Sequence, residues 1–245
     1  MSLKEKFEST GNFLFRWRSF LPLLTIGLFL IAMRYSTYPK GKHYPDLLWE
    51  GICFGVSLFG LAIRVFTVGF VPKGTSGRTT NKPRASTLNT TGMYSIIRHP
   101  LYTGNFFVWL GVSMWPRSLV LVIALALLFS LYYWLIILAE EKILRENFSD
   151  TFVEWTRRTS ILFPRFGNWQ KSALPFSLKT VLKREYTTFF AIITIFTCLE
   201  IGEDWFHSGK LQFDPVWVSI FLTGLCSYII LRILKKKGFL NVEGR

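Results

Sequence analysis

LVLVIALALLFSLYYWLIILA, Leu119 to Ala139, runs for 21 residues without a charged side chain. At about 1.5 Å of rise per residue, a helix of that length crosses the roughly 30 Å hydrocarbon core of a bilayer, which decides the class of fold. Just before it, Pro116-Arg117-Ser118 leaves little room for a loop to the shorter apolar segment Tyr102 to Trp115, so the two segments are expected to form a tight antiparallel hairpin. Phe20 to Tyr35, Leu47 to Phe70, Thr187 to Ile201 and Val216 to Leu234 complete the set. The prediction is an all-α integral membrane protein of about six transmembrane helices. Half of the 245 residues are hydrophobic and 17% are aromatic, and a mean hydropathy of +0.32 is unusual for a soluble domain of this size.

A formal charge of +14 suits nucleic acid or an anionic membrane surface. Here Lys and Arg flank apolar stretches, which points to anionic lipid and away from a nucleic-acid partner. Basic residues cluster in the N-terminal segment (Lys4, Lys6, Arg16, Arg18), in the connection from Val71 to Arg98, in the stretch from Glu140 to Tyr186, and at Lys235 to Lys237. With six spans all four clusters fall on one side, so both termini and both long polar connections are expected in the cytoplasm, with Lys40 and Lys42 a mild exception. Cys53, Cys198 and Cys226 lie in apolar runs without CxxC spacing or a nearby His, so neither a metal site nor a disulfide framework is expected. The N-terminal segment carries no small-residue cleavage signature.

Chemistry is concentrated in the two polar connections. The first contains Val71-Pro-Lys-Gly-Thr-Ser-Gly-Arg-Thr-Thr80, Leu88-Asn-Thr-Thr-Gly-Met-Tyr94 and Arg98-His-Pro-Leu-Tyr-Thr-Gly104. Each piece alone is ordinary for a loop or a helix start. The second begins with Glu140-Glu141, two adjacent carboxylates at the mouth of the longest apolar helix, where charge is costly and so marks a candidate site. Leu144, Phe148, Phe152 and Trp155 follow at spacings of three and four, which places them on one face of an amphipathic helix, with Arg145, Asp150, Glu154 and Arg158 elsewhere.

Together these pieces resemble the isoprenylcysteine carboxyl methyltransferase and phospholipid methyltransferase superfamily. The resemblance runs from about Gly55 to Pro164 and rests on Gly92-x-Tyr94-x-x-x-Arg98-His99-Pro100-x-Tyr102-x-Gly104, the hairpin, and Glu140-Glu141 with its aromatic face. It implies a cytoplasmic pocket for S-adenosylmethionine and an acceptor that enters from the bilayer. Leu88, Tyr94, His99, Pro100, Tyr102, Gly104 and Glu140 are the implied cofactor residues. A carboxylate at Glu140 or Glu141 suits the ammonium of the cofactor's amino-acid end, and His99 suits its carboxylate. Arg98 is the candidate holder of the acceptor anion, and Glu141 is the sole candidate base should the acceptor be an amine. The implied organisation is an N-terminal helix and loop over residues 1–46, a methyltransferase core over 47–164, and a linker with a C-terminal transmembrane pair over 165–245.

The acceptor is read from a departure. Prenylcysteine enzymes, as the family is known, carry a basic residue one turn before the Glu pair, where this chain has Leu135-Ile-Ile-Leu-Ala139. Lys73-Gly-Thr-Ser-Gly-Arg78 offers instead two cations, two hydroxyls and a glycine-freed backbone, a composition suited to phosphate. The expectation is therefore O-methylation of a lipid phosphate in a bacterial inner membrane, as in the branch that acts on the lipid A 1-phosphate. Phosphatidylethanolamine N-methylation and prenylcysteine carboxyl methylation are the alternatives within the class. Outside it stand a transporter, for which no internal repeat is found, and a non-catalytic lipid-binding protein.

Overall fold

The computed structural model describes residues 10, 13–14, 25–35, 43–75, 87–161 and 163–245. Lys4, Lys6, Arg16, Arg18, Lys40, Lys42 and Arg78 lie outside the described residues. Within them the helices are α1 (Ile26–Tyr35), α2 (His43–Phe70), α3 (Met93–Ile96), α4 (Pro100–Met114), α5 (Leu119–Arg158), α6 (Leu178–Ser208) and α7 (Pro215–Lys236), with a 3-10 turn at Phe166–Asn168. No strand occurs among the described residues; Ile97 and Ser160 form one isolated parallel bridge.

Among the described residues three helices are long and apolar enough to cross a membrane: α2 from Asp46, α5, and α7. The chain is an integral membrane protein. Leu119, Val120, Leu127 and Leu131 of α5 and Leu222, Ile229, Ile230 and Ile233 of α7 are exposed, the surface that hydrocarbon would cover. The 15 residues of α4 span only about 22 Å. That is short for a bilayer, and α4 is instead packed closely against α2.

Small residues explain that packing. A methyl group on Gly60 would stand 2.4 Å from the Gly104 carbonyl oxygen, and one on Gly111 would stand 2.3 Å from Ser57 Oγ and 2.4 Å from the Cys53 carbonyl. Only glycine permits this approach of backbones, the usual device for joining helices where no water drives them together. The Ser57 hydroxyl then donates across the seam to the Val108 carbonyl at 2.8 Å.

The hairpin of α4 and α5 turns through Arg117, whose φ of 55° is left-handed. Its guanidinium bonds Asp46 of α2 and, at 3.1 Å, Glu203 of α6, tying three helices at one end of the bundle. Beside it Trp217 Nε1 donates to Glu50 at 2.8 Å, and the Trp217 ring stacks on Phe196 at 5.9 Å. Asp214 caps α7, accepting from the Val216 and Trp217 amides ahead of Pro215 in the first turn.

The apolar run and the amphipathic segment expected after it form one long α5, broken at Ser149 (φ 38°, ψ −111°). As the spacing predicts, Phe152 and Trp155 are buried, Leu144 and Phe148 half-buried, and Arg145, Asp150, Glu154 and Arg158 exposed.

Candidate functional site

The site gathers where α5 leaves its apolar stretch and meets the start of α4. Gly92 adopts φ 60° and opens the short α3, where Ser95 Oγ donates to the Gly92 carbonyl at 2.7 Å and accepts from the Gln170 amide at 2.9 Å. From the far end of α5, Trp155 Nε1 donates to the Tyr94 carbonyl at 2.8 Å. The Arg98 amide bonds the Ser160 carbonyl and the Arg165 amide bonds the Ile96 carbonyl, both at 2.9 Å. These bonds clamp the segment from Tyr94 to Arg98 against the C-terminal end of α5.

Arg98, His99, Tyr102, Glu140 and Glu141 come together as the sequence suggests. His99 is 7% exposed and stands between both carboxylates, with Nε2 3.3 Å from Glu141 Oε1 and Nδ1 3.6 Å from Glu140 Oε2. Glu140 Oε1 accepts from the Tyr102 hydroxyl at 2.8 Å, and Arg98 Nη1 donates to Glu141 Oε1 at 3.0 Å. The two adjacent glutamates are thus unlike. Glu141 is neutralised by a guanidinium, whereas Glu140, 21% exposed, has a phenol and a looser imidazole.

Arg98 reaches further than the sequence suggests. Its Nε donates to the Thr159 carbonyl at 3.1 Å and Nη2 to the Thr156 carbonyl at 3.0 Å, carbonyls of the last turn and cap of α5. All three of its nitrogens are engaged within the chain. Pro100 is buried in the first turn of α4, and Gly104 faces α2 in the seam, where a methyl group would stand 2.6 Å from Arg64 Cγ. Leu88 and Tyr94 are half-buried. Desolvation pushes the Tyr94 phenol above its ordinary range, Glu140 adding to the shift and Arg184 and Arg64 opposing it. Lys73 is exposed, and its backbone amide bonds the Gly244 carbonyl at 2.9 Å.

Two features were not read from the sequence. An aromatic stack leads from the site into the apolar bundle: His99 on Tyr102 at 5.8 Å, Tyr102 on Tyr133 at 5.1 Å, Tyr133 on Phe129 at 6.3 Å, and Phe129 on Trp109 at 5.2 Å. Arg64 of α2 pairs in a fork with Glu185 of α6 at 2.8 and 2.9 Å and donates to Asn105 of α4 at 2.6 Å. A lone guanidinium inside Leu47 to Phe70 is the signal that finds it, because a charge at membrane depth needs a partner.

Residues 51–151 match the family model for phospholipid methyltransferase. That match and the apolar helices define the class: an integral membrane protein of the methyltransferase superfamily that the sequence motifs resemble. The chain is 37% identical over 165 residues to the cobalt-zinc-cadmium resistance protein CzcN of Cupriavidus metallidurans, covering 65% of this chain and 69% of that protein. The chain belongs to the family of that resistance protein. It is also 40% identical over 84 residues to the nickel-cobalt-cadmium resistance protein NccN of Alcaligenes xylosoxydans xylosoxydans, a match spanning 34% of this chain and 39% of that protein. No solved structure matches the chain.

Proposed function

We propose that the protein transfers a methyl group from S-adenosylmethionine to an anionic oxygen of a lipid head group, a lipid phosphate such as the lipid A 1-phosphate being the preferred acceptor. The observation that carries this reading is the Glu140–His99–Tyr102 arrangement, a partly exposed carboxylate beside a stacked aromatic face. Such a pair suits a ligand with an ammonium and a sulfonium, the carboxylate by charge-assisted bonding and the ring faces by cation–π attraction. The donor set therefore fits the cofactor. When bound, S-adenosylmethionine supplies an electrophilic methyl group.

Glu140 takes the ammonium. Tyr102 fixes the rotamer of Glu140, and His99 separates the two carboxylates. Glu141, bonded to Arg98 and His99, orients that ring and is poorly placed to take a proton from an amine, which favours an oxygen acceptor over phosphatidylethanolamine nitrogen. A phosphate oxygen is already anionic and needs alignment and exclusion of water, not a base. Arg98 acts in this reading as a positioning residue, and Lys73 with Arg78 holds the acceptor phosphate. The topology proposed with it has six spans, both termini and the site on the cytoplasmic side of a bacterial inner membrane.

The test uses purified protein, methyl-labelled S-adenosylmethionine and total bacterial lipid. Label on a phosphate-bearing lipid, with calorimetric cofactor binding lost in Glu140→Gln, is the expected result. Arg78→Lys should impair transfer while leaving cofactor affinity intact, since Lys cannot reproduce a bidentate contact. Wild-type cofactor affinity in Glu140→Gln removes the assignment, and label confined to phosphatidylethanolamine nitrogen removes the phosphate acceptor.

A further inference from the structure

A cavity of about 340 Å³ lies between the start of α6, the end of α7 and the C-terminal tail, and its lining includes none of the residues assigned above to cofactor or acceptor. Thr180, Lys183 and Arg184 line it from one face of α6, their spacing of three and four placing them together. Lys235 lines it from the last turn of α7 and Arg245 from the tail. Of its seven lining residues four are cations and none is an acid.

Three of the cations have contacts with neutral groups. Lys183 Nζ donates to Asn241 Oδ1 at 2.8 Å, Lys235 Nζ lies 5.1 Å from the centroid of the Tyr186 ring, and Arg245 Nη1 donates to the Gly69 carbonyl at 2.6 Å. The Lys183 ammonium has three donors, so a bond to an anion can be added without breaking its contact with Asn241. Gathering four like charges around one hollow costs repulsion that an anion would relieve.

Position favours a lipid. Ile229, Ile230 and Ile233 are exposed within the two turns before Lys235, and Leu178 and Phe239, near lining residues Thr180 and Leu240 in the chain, are exposed as well. The cavity therefore sits where apolar surface gives way to charge, the level of lipid phosphates, and basic pockets between helices at that level bind phosphate head groups. All of its lining residues lie beyond residue 151, outside the segment that matches the family model.

We propose that the C-terminal helix pair carries a phosphate-anion site, filled by the head group of an anionic phospholipid, in the cavity walled by Lys183, Arg184, Lys235 and Arg245. This site gives the C-terminal pair a role that its sequence leaves open.

The test is native mass spectrometry of the purified full chain in detergent, offered dioleoylphosphatidylglycerol, dioleoylphosphatidylcholine or inorganic phosphate in separate arms. Phosphatidylglycerol should be retained in preference to phosphatidylcholine, and Lys183→Gln/Lys235→Gln should weaken that retention by about tenfold or more. If the double variant does not fold, as judged by circular dichroism, Lys183→Gln alone should still lower retention, and Lys183→Arg should preserve it. Retention of inorganic phosphate by the wild type but not the variant assigns the same site to a soluble anion. Equal retention of the two lipids, or undiminished retention of phosphatidylglycerol by a folded variant, overturns the proposal.

Discussion

The bundle has an arginine beside a pair of carboxylates at each end, and the two arrangements are built differently. Arg117 joins Asp46 and Glu203, whose side chains are 8% and 7% exposed, so one cation serves two nearly closed carboxylates from two helices. Arg98 serves Glu141 alone, while neighbouring Glu140 remains 21% exposed beside a phenol and an imidazole. The first arrangement is complete within the chain. The second leaves a partly exposed carboxylate held by a phenol and a looser imidazole, which is why it, and not the Arg117 cluster, is read as the place where a ligand binds.

Breaking the closed cluster should produce the largest change. Arg117→Met leaves two buried carboxylates without their cation and should lower stability by about 3–5 kcal/mol, measured by thermal unfolding in detergent. Glu140→Gln should do the opposite: near-native unfolding, but a loss of about 2–3 kcal/mol in S-adenosylmethionine binding, read by calorimetry as roughly a hundredfold weaker affinity. If Glu140→Gln unfolds the protein as severely as Arg117→Met does, the two ends are alike and the comparison fails.

Arg98→Lys sharpens the contrast within the open site. A lysine cannot satisfy Glu141 and both α5 carbonyls together, so stability should fall by about 1–2 kcal/mol, and turnover should fall with cofactor affinity nearly intact. Tyr102→Phe removes one bond to Glu140 while keeping the ring stack, and cofactor affinity should weaken about fivefold, near 1 kcal/mol. The smallest effect belongs to the exposed Arg158–Glu154 pair on α5. Arg158→Ala should change stability by no more than about 0.5 kcal/mol, which calibrates the other measurements.

Much of the open site is legible in the sequence because its parts are local. His99-Pro100 marks the start of α4, Tyr102 follows one turn later, and Glu140-Glu141 terminates an unmistakable apolar run. Phe152 and Trp155 announce their buried face by spacing alone. Arg98 is legible as a candidate residue but not in its bonds, since nothing in the order of residues shows that the last carbonyls of α5 end within its reach. Gly104 sits within the sequence motif, yet its contact is with Arg64 and Gly60 across the seam.

What the sequence by itself determined is the membrane class, the hairpin, the amphipathic end of α5 and the clustering of chemistry in two polar connections. Each of these depends on periodicity, run length or local spacing, which chain order carries directly. The tertiary structure decided which glutamate is engaged by arginine, how His99 is shared, the pairing of Arg64 with Glu185 across 121 positions, and the gathering of Lys183, Arg184, Lys235 and Arg245 around one cavity. These depend on the rotation and depth of one helix against another. Small residues such as Gly60 and Gly111 fix that geometry through contacts between segments distant in sequence.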